Sequence, residues 1–399
     1  MKKLILFVLM FASIAGIDCH ATVPQGAIRF IYDSHLYLQT TLNQKTQATI
    51  IYDTAADLLH LDTDFLRLNN LENAFGKKGK AHMSGAGNSP FILVETFIEP
   101  IEINCGDRTY KNHVTPIIEL RAMLGRYADG ILGNTHLLQS PLQINFSQGY
   151  ILPLTAPISD KLHDEYRPLE VRFKNNRIYV KASLRIDDQN TVEGWFLLDL
   201  GSGSTISLTH ETLQQLDLSH TAKASFSTQQ GGIGGGSNAA YFRAASFTMG
   251  ERFEDIVIHA SLNEHGALSK NQPYVGIIGN QIWSLYDLII DPTTQKVWVK
   301  RNDNKGSYSE ASTTHMAVVD RTDISEGWIV NGLYEGGIAQ QAGIEIGDVI
   351  LAINGRKVAE ITWEEQRKGL DLKGETQYTV KKKSGETVTY TLQIQDPII

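Results

Sequence analysis

The chain has 399 residues, of which 42% are hydrophobic and 20% are charged, with 34 glycines and 11 prolines. At about 150 residues per domain, this length predicts two or three domains, and the composition excludes the collagen-like and disordered classes. The formal net charge of −8 argues against a nucleic-acid partner, which would require a basic surface to replace phosphate counterions. Two cysteines are too few for a disulfide framework.

The first residues have the pattern of an export signal. A positive head over residues 1–3 precedes an apolar run over 4–17, and we expect cleavage after Ala21, which gives a signal peptide over 1–21. An uncleaved N-terminal anchor is the alternative. No later run reaches the length of about 18 apolar residues that a membrane span needs, so we expect a soluble mature protein, periplasmic or secreted. In that protein Cys105 is expected to be a lone, buried cysteine.

An internal repeat follows the leader. Asp53 and Asp199 each follow an apolar strand and begin a turn of small residues. Further along the chain, each aspartate is followed by an apolar-apolar-Gly-Asn motif. The glycines of these motifs, Gly133 and Gly279, each lie 80 residues after their aspartate, which predicts a duplication. Through 27–301, β-branched and aromatic runs alternate with turn residues, as in a many-stranded β domain. Helical patterns are expected only near 62–72, 134–139, 209–217 and 280–286.

These paired motifs, Asp-Thr-Ala-Ala at 53–56 and Asp-Leu-Gly-Ser at 199–202, resemble those of the bilobal aspartic proteases of pepsin and retropepsin type. The chain looks most like the bacterial exported retropepsin-like proteases that carry a C-terminal PDZ domain. The resemblance implies a mainly β, bilobal fold. The N-terminal lobe would cover 22–157 and the C-terminal lobe 158–302.

The resemblance also implies the chemistry of the site. Asp53 and Asp199 would be the catalytic pair, facing each other across a cleft. Two such carboxyl groups share a proton and titrate as a unit, and together they activate a water for attack on a peptide carbonyl. Gly133 and Gly279 would lie beneath the two loops, where a side chain would collide. This chemistry requires no cofactor, and no metal is expected because the 12 histidines form no cluster with metal-ligand spacing.

The residues beside the two aspartates depart from the family pattern. Ala55 stands where glycine is expected, although its backbone N–H remains available. In the family, two hydroxyls join the catalytic loops by crossed hydrogen bonds; Thr54 can form its half, whereas Leu200 cannot reciprocate. Gly201 completes the second turn, and Ser202 is expected to donate to the second aspartate. A missing donor near the pair should raise its pKa values and move activity towards higher pH.

Members of this family close the cleft with a hairpin flap. The glycine-rich stretches 82–87, with Ser84 and Gly85, and 231–236, with Gly234, are the flap candidates. An ordinary surface loop is the alternative for both. The second stretch has neither the glycine spacing nor the Lys-Ser/Thr of a phosphate-binding loop.

The C-terminal part of the chain has a different pattern. Residues 303–312 are polar and turn-rich, which predicts a linker. Residues 337–355 resemble the most recognisable segment of bacterial PDZ domains, which implies an α+β PDZ domain over 313–399. The strand carrying Trp328 and Ile329 is the predicted edge to which a peptide would add. A PDZ domain that only packs on the protease as a cap is the alternative.

The sequence therefore predicts an exported aspartic endopeptidase that acts on peptide or unfolded-protein substrates, with a PDZ domain that binds peptide C-termini. A competing prediction is a catalytically inactive pepsin-like protein that uses the cleft and the PDZ domain for recognition. A third is a protease that becomes active only after dimerisation or PDZ engagement.

Overall fold

The computed structural model describes residues 23–155, 158, 164–306, 308–370, 372–394, 397 and 399. The predicted signal peptide over 1–21 lies outside these residues. The described chain is mainly β, with short helices between its strands. Within these ranges, no helix combines the length and the apolar character needed to cross a membrane.

The first repeat is built from short, largely buried strands with three helical turns between them. Its strands are β1 (Ile28–Asp33), β2 (His35–Leu42), β3 (Thr46–Tyr52), β4 (Leu59–Asp62), β5 (Lys78–Met83), β6 (Ile92–Phe97), β7 (Ile101–Cys105), β8 (Arg108–Asn112), β9 (Thr115–Ile118), β10 (Gly130–Leu132), β11 (Leu142–Asn145) and β12 (Tyr150–Pro153). Its helices are α1 (Thr63–Leu68), α2 (Arg121–Leu124) and α3 (Asn134–Leu137).

The second repeat has the same character and includes a longer hairpin. Its strands are β13 (Arg167–Pro168), β14 (Val171–Lys174), β15 (Arg177–Arg185), β16 (Thr191–Leu198), β17 (Ile206–Leu208), β18 (Lys223–Gly232), β19 (Gly235–Thr248), β20 (Arg252–Ser261), β21 (Gly276–Ile278), β22 (Tyr286–Asp291) and β23 (Lys296–Arg301). Its helices are α4 (His210–Gln214) and α5 (Asn280–Trp283).

The C-terminal unit combines strands with two short helices. Its strands are β24 (Met316–Asp320), β25 (Trp328–Tyr334), β26 (Val349–Ile353), β27 (Arg356–Lys357), β28 (Gly374–Lys381) and β29 (Thr387–Ile394). Its helices are α6 (Ile338–Gln341) and α7 (Trp363–Lys368), with a 3-10 turn at Val358–Glu360. Helix α7 begins with a capping box, in which the Thr362 and Glu365 side chains each accept the other's backbone N–H.

The two repeats place equivalent strands side by side. In the first, β3 runs parallel to β10, with Ile50 opposite Gly130. In the second, β16 runs parallel to β21, with Phe196 opposite Gly276. Each aspartate-bearing loop follows directly on the first strand of such a pair. The duplication in the sequence thus corresponds to a duplication in strand pairing.

Six consecutive strands of a larger sheet join the repeats, in the order β13-β23-β22-β11-β12-β1. At its centre β11 pairs antiparallel with β22, with Leu142 opposite Ile290. One hydrophobic core runs through both repeats, whereas the C-terminal unit has its own. Cys105 is buried in the first core, and this burial raises the pKa of its thiol to about 12.

The four helical patterns predicted from the sequence correspond to α1, α3, α4 and α5, and each helix is shorter than predicted. Helix α2 was not predicted. Tyr308, in the segment 303–312 predicted as a linker, packs on the second repeat: its carbonyl accepts a hydrogen bond from the Val257 N–H at 2.8 Å, and its ring lies edge-on to that of Phe253.

Candidate functional site

Asp53 and Asp199 lie side by side where the two repeats meet. Their carboxyl groups are close enough for each to alter the pKa of the other. The Asp53 carboxyl packs so closely on Gly201 that a Cβ there would lie 2.2 Å from its Cγ. Both loops are fixed from the neighbouring strand, since Asp53 N–H donates to the Leu132 carbonyl at 3.0 Å and Asp199 N–H to the Ile278 carbonyl at 3.1 Å.

The surroundings of the two carboxyl groups differ. Burial raises the pKa of Asp53, but its Oδ1 accepts N–H groups from Ala55 at 2.6 Å and Ala56 at 3.2 Å, which oppose that rise. Burial, and then the charge of Asp53, raise the pKa of Asp199 well above its usual value, while Asp199 accepts one N–H, from Gly201 at 2.9 Å. The pair therefore retains a shared proton at pH values at which an ordinary aspartate is ionised. The negative charge is favoured on Asp53, because Asp53 accepts two backbone N–H groups and Asp199 accepts one.

A cation, Arg177, acts on both members of this pair. Arg177, at the start of β15, forms a two-bond contact with Asp57 at 2.6 and 3.1 Å. Its positive charge lowers the pKa of both Asp53 and Asp199, against the larger effect of burial. Because Asp57 ends the first loop and Arg177 belongs to the second repeat, the ion pair also ties the repeats together. The role of Arg177 was not predicted from the sequence. A second carboxylate in the Asp53 turn, that of Asp57, was the available signal that a cation would lie nearby.

The link beneath the pair is one-sided. Thr54 Oγ1 donates to the Leu198 carbonyl at 2.7 Å and accepts the Leu200 N–H at 2.9 Å. The Leu200 side chain is fully buried in the common core. One hydroxyl therefore forms both bonds between the loops, as expected from the departure of Leu200 from the family pattern.

The two predicted supporting glycines lie directly against the loops. A Cβ on Gly133 would come within 2.4 Å of the Asp57 carbonyl carbon, and one on Gly279 within 2.4 Å of the Ser204 carbonyl oxygen. Neither position has room for a side chain unless the loop moves.

The asparagine after each glycine holds the loop above it. Asn134 donates to the Thr54 carbonyl at 2.8 Å, and Asn280 donates to the Leu200 carbonyl at 2.7 Å. These are equivalent bonds in the two repeats. The sequence analysis noted both Gly-Asn pairs but assigned the asparagines no role; their repetition was the available signal.

The role predicted for Ser202 requires correction. Its hydroxyl lies 2.8 Å from the Ser204 hydroxyl, which lies 2.9 Å from that of Ser207. The turn thus directs Ser202 along its own loop, and the donor to the Asp199 carboxyl is the backbone N–H of Gly201.

Two hairpins meet at their tips. Ser84 and Gly85 belong to the tip of β5–β6, the lobe-one hairpin, and Gly234 to the tip of β18–β19, the lobe-two hairpin. Gly87 N–H donates to the Ile233 carbonyl at 2.9 Å, and a Cβ on Gly85 would lie 2.4 Å from the Ile233 Cβ. The two glycine-rich segments are therefore packed on one another rather than standing as separate surface loops.

Apolar side chains flank the two loops. Ala56 belongs to a cluster with Tyr37, Ile131, Met83 and the hairpin residue Ile233. On the other side, Ala55 belongs to a cluster with residues of the second repeat, namely Tyr179, Leu197, Leu268, Tyr274 and Ile277.

The predicted peptide-binding edge also requires correction. Strand β25, which carries Trp328 and Ile329, is paired on both sides: Ile329 lies opposite Val319 of β24 and opposite Val349 of β26. The Trp328 side chain is buried in the core of the C-terminal unit. A peptide has no open backbone edge at these residues.

Aromatic contacts seat the C-terminal unit on the first repeat. Trp363, the first residue of α7, stacks on Tyr127 with ring centroids 4.3 Å apart and meets Tyr37 edge-on at 5.1 Å. Its Nε1 donates to Asp33 at 2.6 Å, and the Arg126 N–H donates to a carbonyl of β24 at 2.9 Å. The first repeat therefore lies against both β24 and α7.

A buried ionic network reinforces this interface. Arg121 pairs with Asp129 at 2.5 Å within the first repeat and with Asp323 of the C-terminal unit at 3.0 Å. Arg321 of the C-terminal unit pairs with Asp64 at 2.5 Å. The arginine side chains are 9% and 5% exposed, so these charges are satisfied by one another rather than by water.

The family model of the PDZ domain matches residues 329–366. This part of the C-terminal unit is thus a PDZ domain, a module that binds proteins or peptides. Among curated proteins, none is matched by the chain.

Proposed function

We propose that this protein is an aspartic endopeptidase in which Asp53 and Asp199 activate a water molecule. The observation that carries the proposal is the pair itself: two carboxyl groups on equivalent loops, close enough to alter one another's pKa, and both with a pKa raised by burial. A buried pair that shares one proton combines a base and an acid in one site.

In the proposed reaction, the ionised carboxyl, favoured at Asp53, takes a proton from a water whose oxygen attacks the peptide carbonyl carbon. The protonated Asp199 gives its proton to the carbonyl oxygen as charge develops there. In the collapse of the tetrahedral intermediate, Asp199 takes back a proton from one hydroxyl of the gem-diol, the C–N bond breaks, and Asp53 gives the proton that it took from water to the leaving amine. The water ends as one oxygen of the new carboxylate.

The hairpins supply the second support for the proposal. Their touching tips, with Ile233 packed against the same apolar cluster as Ala56, are consistent with flaps that hold an extended substrate over the pair. We therefore refer to the lobe-two hairpin as the lobe-two flap. The positive head and apolar run at the N-terminus support the further proposal that the enzyme is exported to the periplasm or beyond.

The test is a diverse peptide pool incubated from about pH 3 to 8 with the mature protein, Asp53→Asn and Asp199→Asn, followed by mass spectrometry. Cleavage by the wild type that disappears in both variants supports the proposal. A folded wild type that cleaves nothing at any pH, yet retains peptides from the pool, would instead favour a binding protein that has lost the chemistry.

A further inference from the structure

The lobe-two flap is continuous with the PDZ domain. Strand β18 of the flap pairs antiparallel with β25, with Phe226 opposite Tyr334 and Thr228 opposite Gly332. The approach is close, since a Cβ on Gly332 would lie 2.5 Å from the Phe226 ring. The Tyr334 ring packs on that of Phe226 at 4.6 Å and on that of Tyr241, in β19, at 5.3 Å.

Beyond Thr228 the flap loses its regular ladder. The pairing of β18 with β19 shifts register between Thr228 and Gly232, just before the tip. At this irregularity the side chain of Asn331, in β25, forms hydrogen bonds with both backbone groups of Gln230. Its Oδ1 accepts the Gln230 N–H at 3.1 Å, and its Nδ2 donates to the Gln230 carbonyl at 2.9 Å. Asn331 is only 9% exposed, so the contact is shielded from water.

The PDZ domain is itself fixed to the other lobe. The pairs Arg121–Asp323 and Arg321–Asp64, and the stack of Trp363 on Tyr127, join it to the first repeat. The base of the lobe-two flap is therefore held in the frame of the first repeat, while its tip meets the lobe-one hairpin. Movement of the lobe-two tip relative to this fixed base has to involve the backbone between the two, which includes the irregularity that Asn331 spans.

We propose that the PDZ domain is a structural support of the lobe-two flap, and that Asn331 is a positioning residue that sets the flap over the cleft through the backbone of Gln230. The role in catalysis rests on the proposed protease function, whereas the role in holding the flap does not. A side-chain amide suits this task because it supplies one acceptor and one donor to a single residue's backbone.

The test combines hydrogen exchange of the resting, full-length protein with kinetics on a short peptide substrate. Asn331→Ala is expected to speed amide exchange over 229–237 at least about tenfold, since two shielded hydrogen bonds are lost. It should also raise KM several-fold with kcat changed less than about twofold, because the flap binds substrate but performs no chemistry. Asn331→Asp, which keeps the acceptor alone, should be intermediate.

Asn354→Ala is the matched control. Asn354 Oδ1 accepts the Gln377 N–H at 2.8 Å, wholly within the PDZ domain, so its loss loosens that domain without touching the flap. Unchanged exchange over 229–237 in Asn331→Ala, or equal acceleration in Asn354→Ala, would overturn the proposal. Exchange is read without substrate: faster exchange in a protein that cleaves nothing would count against the protease and still support the flap contact.

Discussion

Thr54 and Leu200 stand at equivalent points of the two repeats, yet only Thr54 carries a hydroxyl that joins them. Its oxygen bonds both the Leu198 carbonyl and the Leu200 N–H, while the Leu200 side chain fills the core below. Replacing the second hydroxyl by an apolar side chain exchanges one hydrogen bond for buried hydrophobic surface. The site is thereby asymmetric at its base as well as at its two carboxyl groups.

Thr54→Val should destabilise the protein by about 1–3 kcal/mol, because it removes the one hydroxyl and leaves two buried backbone groups unpaired at nearly constant volume. Urea unfolding measures the effect, and cleavage should fall with it. Thr54→Ser, which keeps the oxygen, should remain close to the wild type. Wild-type stability in Thr54→Val would show that the link does not hold the loops.

Leu200→Thr, which restores the family residue, should also destabilise the protein, by about 1–3 kcal/mol. The lost core packing outweighs the roughly 1 kcal/mol of a second cross-link. Urea unfolding again gives the answer. A variant as stable as the wild type, or more so, would mean that the core accommodates the crossed bonds after all.

Asp199→Asn should raise the melting temperature at pH 8 and change it little near pH 3. Burial raises the pKa values of the pair, so its contribution to stability is present at low pH and is lost as the pH rises through the folded-state values. Removing the charge avoids that loss, and each kcal/mol gained in the free energy of unfolding should raise the melting temperature by about 2–4 °C. Asp188→Asn, at a 97% exposed side chain, is the control and should show no such dependence. A lower melting temperature for Asp199→Asn at pH 8 would contradict the account.

Arg177→Met should move the pH profile of cleavage upwards. The charge of Arg177 lowers the pKa of both Asp53 and Asp199, so without it both values rise further and the singly protonated pair persists to higher pH. Arg185→Met, at the other end of β15, removes an arginine whose pair with Asp188 is exposed, and should leave the profile in place. A downward shift in Arg177→Met would refute the electrostatic role.

Arg121→Met should destabilise the protein by about 3–5 kcal/mol at pH 7, because Asp129 and Asp323 lose their shared buried cation. The deficit should shrink towards pH 4, because burial raises the pKa of Asp129 and protonation of that carboxyl group removes one of the uncompensated charges. Thermal unfolding at both pH values is the measurement. Arg67→Met, which breaks a pair with a 53% exposed arginine, serves as the control and should change little. An equal effect of the two substitutions would argue against a buried network.

The sequence predicted those features that depend on local pattern. The duplicated loops and the positions of α1, α3, α4 and α5 follow from spacing and residue type, whereas the supporting role of the glycines followed from the resemblance to aspartic proteases. The contacts of Arg177, Asn331 and Trp363 did not, because each joins segments far apart in the chain and none belongs to a repeated motif. The prediction of an open strand edge at Ile329 was wrong for the same reason. The two strands beside it, β24 and β26, are placed there by tertiary pairing that a short motif does not encode.

The central claim is best tested by hydrolysis of one cleavable peptide in water enriched in ¹⁸O, by the wild type, Asp53→Asn and Asp199→Asn. The account predicts that the wild type places one ¹⁸O atom in the new C-terminal carboxylate and that neither folded variant cleaves. Cleavage that persists in either variant would contradict a shared role of the two aspartates.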